Sequence, residues 1–338
     1  MVHTRRHERR TAVGAAAAAV LALASGCGDS EAATDDGALR VVTTVAPITS
    51  IVSAVVGPDV QVTGLVPEGV NSHTFEPAPS ASRVLSEADL VFVNGLRLEE
   101  PTRDLADATM SDDARLVEIG DAVLPPEDYL FDFSFPESEG KPNPHLWTDP
   151  TYAIKYAAVV RDELSRAAPD DAETFAANYA AFERQASALS DALRADQASV
   201  PEERRELLTY HDAYAYFAKT YDWTVIGAIQ PESFEDPAPK EVAALIDQVR
   251  AEDVPVVFGS EVFPSAVLEE VGRATDARYE DTLRDDDLPG EPGDPEHSWA
   301  GLMRYDYVTM ITGLGGTAPR LEALDVAPTV PDRADYPQ

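Results

Sequence analysis

The stretch that decides the fold is ELLTYHDAYAYFAKTYDWTVIGAI, residues 206–229. It opens with a largely apolar strand, Glu206–Tyr210, continues as a helix over Asp212–Tyr221 and ends with a second apolar strand, Thr224–Ile229. A strand, a helix and a strand in succession form a βαβ unit, whose strands lie parallel in one sheet. His211 directly follows the first strand, at the sheet edge where α/β proteins bind their ligands.

The same alternation of strands and helices extends over most of the chain. The other predicted strands are Leu39–Thr44, Val60–Val66, Leu90–Val93, Arg115–Ile119, Val254–Gly259 and Ala277–Glu280. The predicted helices around them are Ile48–Val56, Ser80–Ala88, Lys240–Ala251, Ser265–Ala274 and His297–Leu314. Because such alternation is typical of parallel sheets, we expect an α/β protein with two parallel-sheet lobes.

A long helical segment separates the two lobes. Asp149-Pro150 resembles an N-cap with proline in the first turn, and it opens a helix to about Ala167. A second helix is expected from Ala172 to about Ala198, roughly 40 Å long. Its apolar residues recur every three or four positions, so one stripe should be buried: Phe175, Tyr179, Phe182, Ala186 and Leu189. We therefore predict two lobes joined by one long rigid α-helix.

The N-terminus predicts export and a lipid anchor. Arg5, Arg6, Arg9 and Arg10 precede a short apolar run, and small residues then lead to Cys27, the only cysteine of the chain. This is the pattern of a bacterial signal peptide ending at an acylated cysteine. We expect a protein anchored through Cys27 to the outer face of the cell membrane. Both the general secretory route and twin-arginine export remain open.

These features divide the chain into six expected segments. They are a signal peptide (1–26), a lipid-anchored flexible tether (27–38), an N-terminal α/β lobe (39–168), the linking helix (169–199), a C-terminal α/β lobe (200–316) and a flexible tail (317–338). The formal net charge of −35 excludes nucleic acid as a partner, because phosphates require a basic surface. The acids are spread along the chain, which favours a role in solubility.

Four residues suggest a metal site: His73, His145, His211 and Asp281. They are spaced 72, 66 and 70 residues apart, and each is expected in a loop after a strand-like run. Outside the signal segment the chain has only four histidines, and three belong to this set. Three imidazoles and a carboxylate suit a tetrahedral cation of borderline softness. The acidic run from Asp285 to Asp287 is expected to be a solvated loop.

The sequence around these four residues resembles a known family. The four motifs are Asn71-Ser72-His73-Thr74-Phe75-Glu76-Pro77, Pro144-His145-Leu146-Trp147-Thr148-Asp149-Pro150, Thr209-Tyr210-His211-Asp212-Ala213-Tyr214 and Tyr279-Glu280-Asp281-Thr282-Leu283. In this order they resemble the zinc/manganese substrate-binding proteins of bacterial ABC importers. The resemblance implies a monomer with one metal in the cleft between the lobes. It also implies delivery of that metal to an ABC permease and its ATPase.

Three imidazoles favour Zn²⁺ over Mn²⁺ as the bound cargo, since manganese prefers more oxygen ligands. The loop from Pro125 to Asn143 lacks the histidines that many zinc-specific relatives carry there. A metallochaperone or an adhesin of the same fold remains an alternative. The four ligand loops argue against a metal-free protein that binds a vitamin or siderophore. A zinc hydrolase is disfavoured, because four protein ligands leave no open position for water. We therefore expect no enzyme activity.

Overall fold

The computed structural model describes residues 38–229, 238–251, 255–261, 266–275, 277–328, 330 and 334. Cys27 and the whole expected signal and tether lie outside these residues. The side chains of Tyr279, Glu280 and Asp281 also lie outside the described part, although their backbone is included. No helix among the described residues is long and apolar enough to cross a membrane.

The first lobe is built on a parallel sheet of four strands in the order β2-β1-β3-β4. The strands are β1 (Val41–Thr43), β2 (Val62–Gly64), β3 (Leu90–Val93) and β4 (Arg115–Glu118). The helices are α1 (Ala46–Val56), α2 (Ala81–Glu87), α3 (Glu100–Thr109) and α4 (Ile119–Val123). Every residue of β3 is buried, as expected for a strand with helices on both faces of its sheet.

Two long helices follow the first sheet, α5 (Pro150–Ala167) and α6 (Ala172–Asp196). The predicted cap of α5 is confirmed, because the Asp149 carboxylate accepts a hydrogen bond of 2.8 Å from the backbone N–H of Thr151. The expected stripe on α6 is confirmed as well: Phe175, Phe182, Ala186 and Leu189 are buried, and Tyr179 packs against the same core.

The second lobe repeats the plan of the first, with strand order β6-β5-β7-β8 and all pairs parallel. Its strands are β5 (Glu206–Thr209), β6 (Thr224–Ala228), β7 (Val256–Ser260) and β8 (Arg278–Leu283). Its helices are α7 (Ala215–Tyr221), α8 (Pro239–Ala251), α9 (Ala266–Ala274), α10 (Trp299–Gly313) and α11 (Pro319–Glu322). Since α6 contacts α1 of the first lobe and α10 of the second, the two-lobed, helix-linked α/β architecture is confirmed.

Three features differ from the sequence prediction. The strand β8 continues to Leu283 instead of ending at Glu280, because the residues after Glu280 pair with β7. Asp281 therefore lies within a strand, and its placement in a loop was wrong. The helix α3 was not predicted, since Thr102 and Ala106 are its only buried residues and form a narrow apolar face. The expected flexible tail begins with α11, whose Leu321 is buried in the core.

Candidate metal centre between the lobes

The structure brings three of the four predicted residues to one point. The Nε2 atoms of His73 and His145 are 3.2 Å apart, those of His73 and His211 are 3.2 Å apart, and those of His145 and His211 are 3.0 Å apart. A tetrahedral zinc ion with bonds of about 2.0–2.1 Å holds its ligand nitrogens roughly 3.3 Å apart. The three nitrogens therefore form a triangle close to one face of such a tetrahedron.

His73 and His211 lie in loops that follow strands, whereas His145 lies in the segment between α4 and α5. His73 lies in a single turn of 3₁₀ helix after β2, and its backbone N–H donates to the Asn71 side chain. His211 follows β5 by two residues, and its carbonyl accepts from the Thr209 hydroxyl at 2.6 Å. His145 comes directly before the turn that leads into α5. His145 and His211 are buried, and His73 is half-buried.

Asn143 determines which nitrogen His145 presents. The Asn143 side-chain oxygen lies 3.0 Å from the backbone N and 2.9 Å from Nδ1 of His145. Because this oxygen only accepts, it stabilises the tautomer with a proton on Nδ1 and leaves the Nε2 lone pair facing the cluster. The Asn143 amide nitrogen donates in turn to Asp132 and to the backbone oxygen of Asp212. These two bonds fix the orientation of the amide.

The electrostatics of the cluster keep the imidazoles neutral. Burial lowers the pKa of His73 well below its usual value, with smaller contributions from His211 and Lys141. Burial also lowers the pKa of His145, and its two histidine neighbours add to the effect. Neutral imidazole is the form that binds a metal ion. The site is therefore prepared to bind a cation at neutral pH without first losing protons from these two rings.

Two carboxylates that were assigned to a solvated loop are buried beside the histidines, so that prediction was wrong. Asp285 and Asp286 are 3% and 5% exposed, and the ligand atoms of His145, Asp285 and Asp286 all lie within 4.8 Å of one another. One Asp285 oxygen is 3.7 Å from Nε2 of His211. The segment is held inward because the Glu261 carboxylate accepts the backbone N–H groups of Asp285, Asp286 and Asp287.

Asp286 presents one oxygen that is still available. Its Oδ2 accepts from the Ser72 hydroxyl at 2.6 Å, whereas its Oδ1 is buried without a hydrogen-bond partner among the described residues. Burial raises the pKa of Asp286 to about 7, despite the opposing hydrogen bond from Ser72. An unsatisfied buried carboxylate oxygen is costly, and a bound cation would satisfy it.

Asp281 occupies a different level of the second sheet. Thr209 pairs with Phe258, which pairs with Glu280. Leu283 pairs with Ser260, which lies two residues after Phe258, just as His211 lies two residues after Thr209. The end of β8 is therefore level with His211, and Asp281 lies two residues before that end. The assignment of Asp281 as a ligand stays a prediction, since its side chain is not described.

The site includes residues that the sequence did not reveal. Phe135 packs its ring against His73 and His145, with centroid distances of 5.6 and 5.8 Å. Asp132 and Asp212 share a buried contact behind Asn143, where burial and the Asp212 charge raise the pKa of Asp132 to about 9. In contrast, Glu76 of the first motif is exposed and makes no hydrogen bond within the described structure.

Two parallel-sheet lobes joined by a long helix, with a cluster of ligands between them, define a two-lobed substrate-binding protein. The family of the periplasmic zinc-uptake complex component A (ZnuA) matches residues 41–313, and the chain belongs to this family. The resemblance found in the sequence motifs is thereby confirmed. Its relatives are named as metal-binding lipoproteins or as substrate-binding lipoproteins of metal ABC transporters.

Individual relatives agree on the architecture and differ in the metal for which they are named. The chain is 29% identical to the manganese-binding lipoprotein MntA of Halalkalibacterium halodurans over 86% of this chain and 94% of the relative. It is 25% identical to the metal ABC transporter substrate-binding lipoprotein SsaB of Streptococcus sanguinis over 84% and 91%. The structure of the periplasmic zinc-binding protein TroA from Treponema pallidum matches with a TM-score of 0.75 and 25% identity, over 82% of this chain and 99% of that chain.

Proposed function

We propose that this protein captures a divalent transition metal, Zn²⁺ in preference to Mn²⁺, in the cleft between its lobes and delivers it to an ABC permease. The observation that carries the proposal is the triangle of three Nε2 atoms with sides of 3.0–3.2 Å. Nitrogens at this spacing suit one small ion, and three imidazoles suit zinc better than manganese. Because the metal is the transported cargo, the function of the site depends on its affinity for the metal and on the rate of metal release.

The proposed ligands are His73, His145 and His211 together with the carboxylates of Asp286 and Asp285. Asp286 contributes the buried oxygen that lacks a partner, and Asp285 is the carboxylate close to His211. Three neutral imidazoles and two carboxylates around a divalent ion make a cluster with no net charge. Such a cluster is the least costly arrangement in a dry interior.

Metal binding is tested with purified, metal-stripped protein. A titration against zinc and manganese, each in competition with a chelating dye, should show one zinc ion per chain and weaker binding of manganese. Tighter binding of manganese would overturn the metal assignment, and no binding of either ion would overturn the function.

Delivery is tested on membranes that contain the partner permease and ATPase. The zinc-loaded protein should stimulate ATP hydrolysis, and the His145→Ala variant should not. A metallochaperone or an adhesin of the same fold would bind zinc equally well and leave the ATPase unaffected. The relative SsaB is named as a component of such a transporter, which supports import over these alternatives.

The proposed location is the outer face of the cell membrane, with a lipid anchor on Cys27. The relatives MntA and SsaB are named as lipoproteins, which supports this assignment. Cys27→Ser should move the protein from the membrane fraction to the soluble exported fraction. Continued membrane association of that variant, or a wild-type protein that never incorporates labelled fatty acid, would contradict the anchor.

A further inference from the structure

A cavity of about 610 Å³ adjoins the histidine cluster on one side. Among the three histidines only His73 lines it, whereas His145 and His211 are buried behind. One water molecule occupies about 30 Å³ of liquid, so a divalent ion with its hydration shell fits this space. The cavity therefore offers a solvent-filled route that leads to one proposed ligand, His73.

Another side of the cluster is closed by hydrogen bonds between the lobes. Gly69 donates its backbone N–H to both oxygens of Asp287 at 2.8 Å, and Ser72 donates to Asp286. The backbone N–H of Leu288 donates to Glu68 at 3.1 Å. A metal ion that crossed this side would have to break several of these bonds at once.

The side chain of Phe135 borders both the cavity and the histidine cluster. Its ring packs against His73 and His145 while it also lines the cavity, and it is 6% exposed. Phe135 belongs to a loop that several hydrogen bonds fix, among them Ser134 N–H to Asp212 at 3.2 Å and Leu130 N–H to the Tyr216 hydroxyl at 3.2 Å. The Phe135 carbonyl itself accepts the backbone N–H of Asp132 at 3.0 Å. With the backbone fixed in this way, a rotation of the ring alone would widen the opening between the cavity and the histidines.

The rim of the cavity carries two cations that share one acid. The Glu100 carboxylate lies 2.9 Å from Arg97 and 2.8 Å from Lys141. Arg97 is held there by a backbone in the left-handed region, with φ of 51° at Leu96 and 66° at Arg97. Such strain persists where the surrounding structure enforces it, often at functional sites. Here the Asp121 carboxylate accepts the Leu96 N–H at 2.7 Å.

Lys141 lines the same cavity as His73, so its charge faces a metal ion that approaches the cluster through this space. A lone positive charge at this place would repel an incoming metal ion, and Glu100 offsets that repulsion. The rim therefore controls how readily a cation enters.

We propose that this cavity is the access route of the hydrated metal ion and that Phe135 is its gate. Glu100 is the acid that offsets the positive charge at the rim and so allows a cation to enter. The inference rests on the proposed function and adds the route and the residues that set the rates. It predicts that these residues govern association and dissociation more than equilibrium affinity.

The gate is tested by stopped-flow measurement of zinc association and of zinc release to an excess of chelator. Phe135→Ala should accelerate both rates by about tenfold, because a gate limits passage in either direction. Phe133→Ala is the matched control, since Phe133 lies on the same loop but is 44% exposed. Phe135→Leu provides a milder variant should the alanine variant not fold. Unchanged rates, or faster release alone with an equal loss of affinity, would overturn the gate.

The rim is tested by two substitutions of opposite sign. Lys141→Gln should raise the association rate by about two- to fourfold, and Glu100→Gln should lower it by a similar factor. Both effects should shrink with added salt. Arg83→Gln, which removes an exposed charge on α2, should change nothing. Shifts of the same sign for both rim variants would overturn the proposal. A wild-type protein that binds no zinc would overturn the function itself, whereas normal binding with unaltered rates overturns only this route.

Discussion

The Nε2 atoms of His145 and His211 lie 3.0 Å apart, although the two residues belong to different lobes. Two imidazolium ions at this distance would repel strongly in a buried site, so the contact requires at least one neutral ring. The candidate metal site is thus part of the interface between the lobes. A cation that binds here joins the lobes directly.

Removing any one imidazole should weaken zinc binding markedly. The free energy of zinc binding to zinc-finger sites is about 10–16 kcal/mol, so a single ligand contributes on the order of 3 kcal/mol. We expect losses of this size for His73→Ala, His145→Ala and His211→Ala in competition with a chelating dye. His297→Ala is the control, since His297 is buried but lies outside the cluster. Full affinity in any of the three variants would remove that residue from the site.

The identity of the oxygen donor is tested by two isosteric substitutions. Asp286→Asn should weaken zinc binding by about 2–3 kcal/mol, because it removes the charge of an otherwise unsatisfied buried oxygen. Asp281→Asn should leave the affinity unchanged if the register of β8 places Asp281 away from the cluster. Weaker binding by Asp281→Asn together with unchanged binding by Asp286→Asn would identify Asp281 as the carboxylate ligand.

Asn143 should tune the affinity through the His145 tautomer. Asn143→Ala is expected to lower zinc affinity by about 10- to 100-fold, the usual effect of losing a residue that orients a metal ligand. The control is Asn178→Ala, since Asn178 donates to the Val55 carbonyl far from the site. An NMR spectrum of the imidazole nitrogens should show mixed tautomers for His145 in the variant. A single tautomer with normal affinity would contradict this role.

Glu99 should make stability depend on pH. Burial raises its pKa from 4.5 to about 7, although Thr44, Asn94 and Gly95 donate hydrogen bonds to it. Because the pKa is raised in the folded state, the contribution of Glu99 to the free energy of unfolding is fully present below pH 4.5 and is lost as the pH rises through 7. Glu99→Gln should therefore gain stability relative to wild type over this range, by at most about 3 kcal/mol. A difference in unfolding free energy that stays constant from pH 4.5 to 8 would refute it.

The sequence pointed to the three histidines that the structure brings together because histidine is rare in this chain and each of the three lies in a recognisable motif. It could not identify the carboxylate in the same way. The chain has 61 acidic residues, and the strand β8 ends at Leu283, three residues later than the sequence pattern indicated, which brings the Asp285–Asp287 run next to the end of the strand. The burial of that run depends on Glu261 and Ser72, which are distant in sequence.

Other features depend on contacts that no local pattern encodes. The role of Asn143 depends on the orientation of its amide, which Asp132 and Asp212 set from two different segments. The position of Phe135 over the cluster depends on how a Pro-rich loop folds back onto the second lobe. Alternating strands and helices predict the sheets, but they do not predict the path of such a loop.

The most direct test is a crystal structure of the zinc-loaded protein with anomalous data at the zinc edge. We expect one anomalous peak about 2.0–2.1 Å from Nε2 of His73, His145 and His211, and within bonding distance of the Asp286 carboxylate. A peak elsewhere, or zinc bound without these three nitrogens, would contradict the account.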